Sequence, residues 1–120
     1  MENALNLSLV EGRLVRDPEF INTKGGYHLC KFDIAVNFSK KVDNKYVNEA
    51  TFLTVNTWNK IASACAQYLK KGSKVRIRGK IKDSTWTTEA GEKRKKLFIE
   101  AASVEFLNSP KKEENKVAAA

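Results

Sequence analysis

The sequence predicts an all-β domain with one helix, in which the helix separates the third and fourth of five strands. Segments in which apolar and polar residues alternate recur along the chain, and glycine, proline or asparagine lies between them. A single segment, residues 59–69, repeats apolar residues at helical spacing. At 120 residues the chain can form one domain with its own core.

The first strand is predicted to begin near Leu5, where apolar and polar residues alternate as far as Leu9. The alternation changes phase at Gly12, so we expect a bulge that bends the strand there. Pro18 ends the strand, because proline donates no hydrogen bond to a neighbouring strand. The segment Lys24–Gly26 is then predicted to be a turn.

The second and third strands are predicted over residues 27–37 and 47–58, with a polar loop over residues 38–44 between them. The even positions of the second strand are mainly apolar and are expected to face the core. In the third strand the odd positions are aliphatic, whereas the even positions are Phe52, Thr54, Asn56 and Trp58. Aromatic rings separated by small polar side chains suit a stacking surface better than a core.

Asn59 is predicted to cap the helix, and Gly72 is predicted to close it. Lys70 and Lys71 either complement the helix dipole or contact nucleic acid, and the sequence favours neither. The fourth strand alternates most regularly. One face carries Val75, Ile77, Gly79 and Ile81, and the other carries Lys74, Arg76, Arg78, Lys80 and Lys82.

Trp86 is expected in a hairpin between the fourth strand and a fifth strand over residues 97–107. A turn at Glu89–Glu92 and the basic run Lys93–Lys96 would place this ring between two basic segments. Three strands, one helix and two further strands is the order of an OB-fold, a partly open five-stranded barrel that binds oligonucleotides.

From Asn108 the composition loses all periodicity, which favours a disordered, solvated tail. We therefore expect an OB-fold domain over residues 1–107 and a tail over residues 108–120. The run Ala118–Ala120 could be a remnant of cloning and is left out of the fold prediction.

The charge balance predicts a polyanionic partner. Lysine and arginine number 22 against 14 acidic residues, a formal net charge of +8, so nucleic acid is favoured over an anionic membrane surface. No apolar run approaches the roughly 20 residues that cross a bilayer, and the N-terminus does not resemble a signal peptide. A cytoplasmic location is expected.

Unpaired nucleic acid exposes base faces that stack on aromatic rings and phosphates that attract cations. The rings predicted to stack are Phe52, Trp58 and Trp86, and the cations predicted to contact phosphates are Lys60, Lys71, Arg76, Lys82 and Arg94. The alternative for each ring is packing in the core or at a subunit interface, and the alternative for each cation is an ordinary solvated charge.

Enzymatic and metal chemistry find little support. Cys30, Cys65 and His28 are too few for a zinc site, and the cysteines are expected to be reduced and partly buried. Asp17 and Glu19 could act as an acid pair, but a plain turn explains them. We predict that the protein is no enzyme and holds no metal or cofactor.

Four segments together resemble the bacterial single-stranded DNA-binding protein family. They are Leu14–Glu19, Trp58–Ala62, Tyr68–Val75, and Gly79 followed by Trp86 and Gly91, within a similarity that runs from about Leu5 to Leu107. The resemblance implies a homotetramer, built as a dimer of dimers, that binds single-stranded DNA without sequence preference. It also implies a role in DNA replication, recombination and repair in the cytoplasm, in association with the nucleoid.

The resemblance places Phe52, Trp58 and Trp86 at the family's stacking positions, and Lys60, Lys71 and Lys82 where the family often has basic contacts. Glu11 stands where an aliphatic residue is usual. Lys40 replaces a stacking aromatic residue after the second strand, a role that Phe38 could supply. The sequence does not contain the family's glycine- and glutamine-rich linker and acidic, partner-recruiting tip, so the chain is truncated or recruits partners differently.

Two other classes stay open. One is an RNA-binding OB-fold protein of the cold-shock kind, which competition between DNA and RNA oligonucleotides would separate. The other is a protein-interaction OB-fold domain, such as a dimeric replication-restart accessory factor, whose aromatic residues would serve an interface.

Overall fold

The computed structural model describes residues 2–107 and the backbone of residues 116–119. Its elements are β1 Ser8–Leu14, β2 Glu19–Asn22, β3 His28–Val42, β4 Lys45–Trp58, α1 Asn59–Tyr68, β5 Lys74–Thr87, β6 Lys93–Phe106 and β7 Lys116–Ala119. Strands β1, β3, β4, β5 and β6 form a closed barrel, which confirms the predicted OB-fold. The helix lies between β4 and β5, which are the third and fourth strands of the barrel, as predicted. The strand numbers differ from the prediction because the short strand β2 was not predicted.

Three strand pairings close the barrel. Strand β1 pairs with β5 along Ser8–Arg13 and with β3 through Arg13 and Leu14, while β4 and β6 pair in parallel beside Val55 and Asn56. A Cβ atom on Gly12 would lie 2.6 Å from the Ala35 carbonyl oxygen, so the crossing of β1 and β3 requires glycine.

The predicted bulge at Gly12 is wrong, because the pairing of β1 with β5 runs through Gly12 without a shift. The irregularity lies instead between β5 and β6, where the register shifts at Arg78 and Gly79. Close approach of another backbone, rather than an extra residue, explains the glycine in β1.

The core joins the inner faces of the barrel strands to one side of the helix. Its fully buried side chains include Cys30, Ile34, Val55, Cys65, Val75, Ile77 and Val104. Within the barrel, the alternate residues predicted to face the core are buried. Beyond the barrel this prediction fails. Ile81 was expected in the core, but it is 46% exposed because β5 and β6 continue past the barrel as a two-stranded hairpin.

The largest difference from the prediction is the length of the two hairpins. Strands β3 and β4 pair without interruption as far as Val42 and Lys45, so the polar loop predicted over residues 38–44 is wrong. Asp43 and Asn44 form the two-residue turn, with φ values of 50° and 66°, as in a type I′ turn. The residues are polar because this ribbon has left the barrel and both of its faces meet solvent.

Strand β6 begins at Lys93 rather than at residue 97, so the basic run is part of the hairpin ladder. The helix also begins differently, since Asn59 does not cap it. Trp58 occupies the N-cap position without a side-chain hydrogen bond, and the Asn59 side chain instead accepts a hydrogen bond from the His28 N–H at 3.2 Å.

The predicted tail lies largely outside the described residues, which omit 108–115 and 120. Within it, Lys116–Ala119 forms β7 and pairs antiparallel with Ser103–Phe106 of β6. The boundary at residue 107 and the disordered character of the tail stay predictions.

Candidate nucleic-acid interface

The outer surface of β3 and β4 carries two of the three predicted rings. In an antiparallel pair, residues directly opposite each other place their side chains on the same face. Ala35 lies opposite Phe52, and Leu29 lies opposite Trp58, while the intervening core residues face inward. We call this outer surface of the β3–β4 ribbon the front face.

Both rings on the front face are accessible. Phe52 is 67% exposed and Trp58 is 36% exposed. They lie six residues apart on one strand, about 20 Å at roughly 3.3 Å per residue. Between them are Thr54 and Asn56, whose small polar side chains leave both rings open to solvent.

The third ring lies on the outer face of the β5–β6 hairpin. Trp86 is 48% exposed and lies directly opposite Arg94. Lys82 and Lys96 share this face, because they occupy the same parity on β5 and β6. An aromatic ring among cations is the arrangement that a stacked base and its phosphates need.

Asp33 lies on the front face, opposite Thr54. Thr54 donates a hydrogen bond to its carboxylate at 2.7 Å, and Arg16 donates another at 2.6 Å. Burial raises the pKa of Asp33, but these two bonds and the charges of Lys96 and Arg16 outweigh it and lower the pKa below its ordinary value. The charge of Lys96, on the β5–β6 hairpin, therefore acts on the front face.

One polar atom on the front face has no partner in the described part of the chain. The Asn56 side-chain oxygen is buried and accepts no hydrogen bond. It lies two residues from Trp58, opposite Lys31 of β3.

Four of the six predicted cations are already paired with carboxylates. Arg76 bridges Glu11 at 2.6 Å and Glu105 at 2.9 Å, and Lys82 contacts Glu100 at 2.9 Å. Lys40 pairs with Glu49 at 3.0 Å, and Arg94 pairs with Glu92. All of these pairs are partly exposed, so a phosphate would compete with a carboxylate for each cation.

Arg76 is a predicted cation that lies far from Trp86 on the same strand. It lies ten residues from Trp86 along β5, about 33 Å at roughly 3.3 Å per residue. Its two carboxylate partners come from β1 and β6, and Glu11 is the residue that departs from the family's aliphatic position. The glutamate at this position is therefore explained by its ion pair with Arg76.

Lys60 and Lys71 have no carboxylate within 4 Å among the described residues. Lys60 is the second residue of α1 and follows Trp58 by two positions. Lys71 lies in the turn after the helix, where its N–H donates a hydrogen bond to Asp17 at 2.8 Å. That bond gives Asp17 a structural role in holding the turn.

Phe38 and Lys40 occupy the opposite surface of the ribbon, which we call the reverse face. Phe38 lies opposite Glu49, and Lys40 lies opposite Val47. Phe38 is 44% exposed, but its cross-strand neighbour is a carboxylate that repels phosphate. Their assignment as DNA contacts stays a prediction.

Sequence reasoning missed two cations that the structure brings to the site. Lys31 lies opposite Asn56 on the front face, and Lys96 shares the face of Trp86, where its charge acts on Asp33. Neither has an ion pair among the residues described here. Strand parity identifies Lys31 directly, whereas Lys96 could be found only once β6 was known to begin at Lys93.

The two cysteine thiols are buried in the core. Burial raises the pKa of Cys30 to about 11 and that of Cys65 to about 12, so both thiols stay protonated and unreactive near neutral pH. Over the described part of the chain, no group of three or more His, Cys, Asp or Glu residues could hold a metal ion. Likewise, no described helix is long and apolar enough to cross a membrane.

A closed five-stranded barrel with one helix between its third and fourth strands defines an OB-fold domain. The chain belongs to the Single-strand binding protein family, whose family model matches residues 5–107. This confirms the resemblance drawn from the sequence motifs.

Individual relatives agree with this membership. The chain is 35% identical over 105 residues to the single-stranded DNA-binding protein of Treponema pallidum, covering 88% of this chain and 59% of the relative. It is 38% identical over 105 residues to that of Wolinella succinogenes, covering 87% and 65%. With single-stranded DNA-binding protein 2 of Chlorobaculum tepidum the identity is 33% over 110 residues, covering 90% and 74%. The chain thus spans less than two thirds of the length of the first two.

Proposed function

We propose that the protein binds single-stranded DNA without sequence preference and protects it. The observation that carries this proposal is the exposure of Phe52, Trp58 and Trp86 at outward-facing strand positions, with cations on the same faces. The relatives named single-stranded DNA-binding proteins support it.

Binding would rest on stacking. Every base has a π-face, so a ring accepts any base and gains roughly 1 to 3 kcal/mol from it. The rings lie far apart along the strands, and we infer that successive stacked bases are separated by unstacked nucleotides. These nucleotides would pass over the small polar residues between Phe52 and Trp58.

Phosphates would be held by cations next to the rings. Lys60, Lys31 and Lys96 can bind a phosphate without losing an ion pair among the described residues. Lys82, Arg94 and Arg76 would have to exchange a carboxylate for the phosphate, which reduces the gain from each contact. Lys71 is proposed as an outlying contact at the end of the barrel.

Neighbouring lysines on β6 test this assignment. Lys96 shares the face of Trp86, whereas Lys95 lies on the other face, 3.7 Å from Asp83. We expect Lys96→Ala to reduce the slope of log affinity against log salt concentration by about 0.7, the value for one contact to single-stranded DNA. The Lys95→Ala variant serves as the matched control and is expected to keep the parental slope. Equal slopes for both variants would remove Lys96 from the site.

We propose that the protein assembles as a homotetramer, a dimer of dimers. Leu7, just before β1, and Leu9, on the outer face of β1, are 63% and 64% exposed. One edge of Ser8–Gly12 pairs with β5, and the other edge has no strand partner among the described residues. A second copy could cover these leucines and pair with this edge.

If β1 lies at a subunit interface, substituting two exposed leucines should have different effects on the mass of the assembly. Leu9→Lys places a cation opposite Arg78 on this apolar edge, so it is expected to reduce the mass below that of four chains. Leu97→Lys changes an equally exposed leucine on the hairpin and is expected to leave the mass unchanged. Sedimentation equilibrium measures both, and an unaltered mass for Leu9→Lys would place the interface elsewhere.

The proposed role is in DNA replication, recombination and repair, in the cytoplasm and in association with the nucleoid. Coating of unpaired DNA needs no catalytic group, and we propose that the protein has no enzymatic activity of its own. This assignment follows from the family membership and from the stacking surface.

Competition binding tests the proposed function. A fluorescently labelled oligo(dT) is bound to the protein and displaced with unlabelled oligo(dT), oligo(U) or duplex DNA of equal length. We expect oligo(dT) to compete best and duplex DNA worst, since paired bases hide their faces from the rings. Equal competition by oligo(U) would favour the RNA-binding alternative.

A further inference from the structure

The β3–β4 ribbon carries an aromatic residue that the site described so far does not use. Tyr46 lies one residue after the start of β4, at the end of the ribbon farthest from the barrel, and is 76% exposed. It has the same strand parity as Phe52 and Trp58, and the pairing of β3 with β4 is uninterrupted between them. Tyr46 therefore lies on the front face.

The three rings recur at equal intervals along β4. Residues 46, 52 and 58 are six positions apart, so each interval is about 20 Å at roughly 3.3 Å per residue. Tyr46 doubles the length of the ringed line on the front face. Because a two-stranded ribbon twists, DNA that follows this face would wind around the hairpin as it leaves the barrel.

The charges on the two faces of the ribbon differ in a way that favours the front face. Tyr46 lies opposite Lys41, whose ammonium has no carboxylate within 4 Å among the described residues. From Tyr46 to Phe52 the front face is otherwise made of Ala35, Asn37, Ser39, Asn48 and Ala50, without a carboxylate. Phosphate meets no repulsion along this path.

The reverse face offers the opposite environment. Glu49 lies directly opposite Phe38 and also binds the Lys40 ammonium at 3.0 Å. The ring there has a carboxylate beside it, and the cation is already neutralised. A DNA strand on this face would meet a negative charge next to its only aromatic residue on the ribbon.

We propose that Tyr46 is a further base-stacking residue and Lys41 its phosphate contact, in place of Phe38 and Lys40. The inference rests on the proposed function and extends the DNA path from the barrel to the tip of the β3–β4 hairpin. It gives the hairpin, which contributes little to the core, a role in binding.

Four variants test the ring. Affinity is measured for an oligo(dT) longer than the roughly 16 nucleotides that one OB-fold covers at most. We expect Tyr46→Ala to lower the affinity by about 5- to 150-fold, the equivalent of one stacked base. Tyr46→Phe, which keeps the ring, and Phe38→Ala, the matched control on the reverse face, are each expected to stay within about twofold of the parent. A Tyr46→Ala, Phe38→Ala double variant is expected to match Tyr46→Ala alone.

Lys41→Ala and Lys40→Ala form a second matched pair, read by the salt dependence of binding. Lys41→Ala is expected to reduce the log–log slope by about 0.7, and Lys40→Ala is expected to leave it unchanged. Thermal melting establishes that each variant is folded, as the high exposure of Tyr46 predicts.

The possible failures are distinguishable. If the parental protein binds oligo(dT) and Tyr46→Ala binds equally well, this inference is wrong and the proposed function stands. A loss with Phe38→Ala as large as that with Tyr46→Ala would also overturn it, since both faces would then bind. If the parental protein does not bind oligo(dT), the proposed function and this inference fall together.

Discussion

Replacing both tryptophans with alanine is expected to weaken binding of oligo(dT) by about 2 to 6 kcal/mol, twice the value of one stacked base. Trp58 lies on the front face and Trp86 on the β5–β6 hairpin, so the two losses are expected to add. Fluorescence anisotropy of a labelled oligonucleotide measures the change.

The matched control keeps an aromatic ring at both positions. Trp58→Phe with Trp86→Phe is expected to retain most of the affinity, since a phenyl ring still offers a face to a base. Both double variants are compared by thermal melting, because Trp58 is about two thirds covered by neighbouring residues. Folded alanine variants with parental affinity would show that the rings do not touch DNA.

Gly79→Ala is expected to lower the free energy of unfolding by about 3 kcal/mol, the upper part of the usual range for overpacking. A Cβ atom at this position would lie 2.2 Å from the Glu100 carbonyl oxygen and 2.9 Å from the Ala101 Cα. Both atoms belong to the backbone of β6, at the register shift that directs the hairpin away from the barrel. They cannot move aside without opening the ladder.

Urea denaturation measures this loss as a lower midpoint. Gly25→Ala is the control, because its Cβ would contact only the exposed ring of Tyr27, which can rotate away. We expect that substitution to change stability by less than about 0.5 kcal/mol. A Gly79→Ala variant of parental stability would mean that the close contact at the bulge relaxes without cost.

The barrel strands were predictable from the sequence because apolar and polar residues alternate along a strand that has one face in the core and one in solvent. Val75 and Ile77 alternate with cations, and the structure buries both, as expected. The same alternation predicts from the sequence alone that Phe52 and Trp58 face outward, and the register of β3 and β4 agrees.

The full length of the two hairpins was not predictable in this way, because both of their faces meet solvent. Residues 38–42 carry no alternation that distinguishes strand from loop, so β3 extends farther than predicted. Phe38 and Lys40 could be assigned to the reverse face only once the register with β4 was known.

Ion pairing was also beyond the reach of sequence reasoning. Glu11 and Arg76 are 65 residues apart and meet only because β1 pairs with β5. The stripe of cations therefore overstated the number of charges free to bind phosphate. Lys96 was not predicted as a contact, but it shares the face of Trp86.

The most direct test of base stacking is a titration of intrinsic tryptophan fluorescence with oligo(dT), with oligo(U) and duplex DNA alongside, at two salt concentrations. We expect strong quenching by oligo(dT), little change with duplex DNA, and weaker binding at the higher salt concentration. A parallel mass measurement reports the oligomer. Tryptophan emission that ignores oligo(dT) and changes only when the oligomer dissociates would contradict the account, because Trp58 and Trp86 would then face a protein interface rather than DNA.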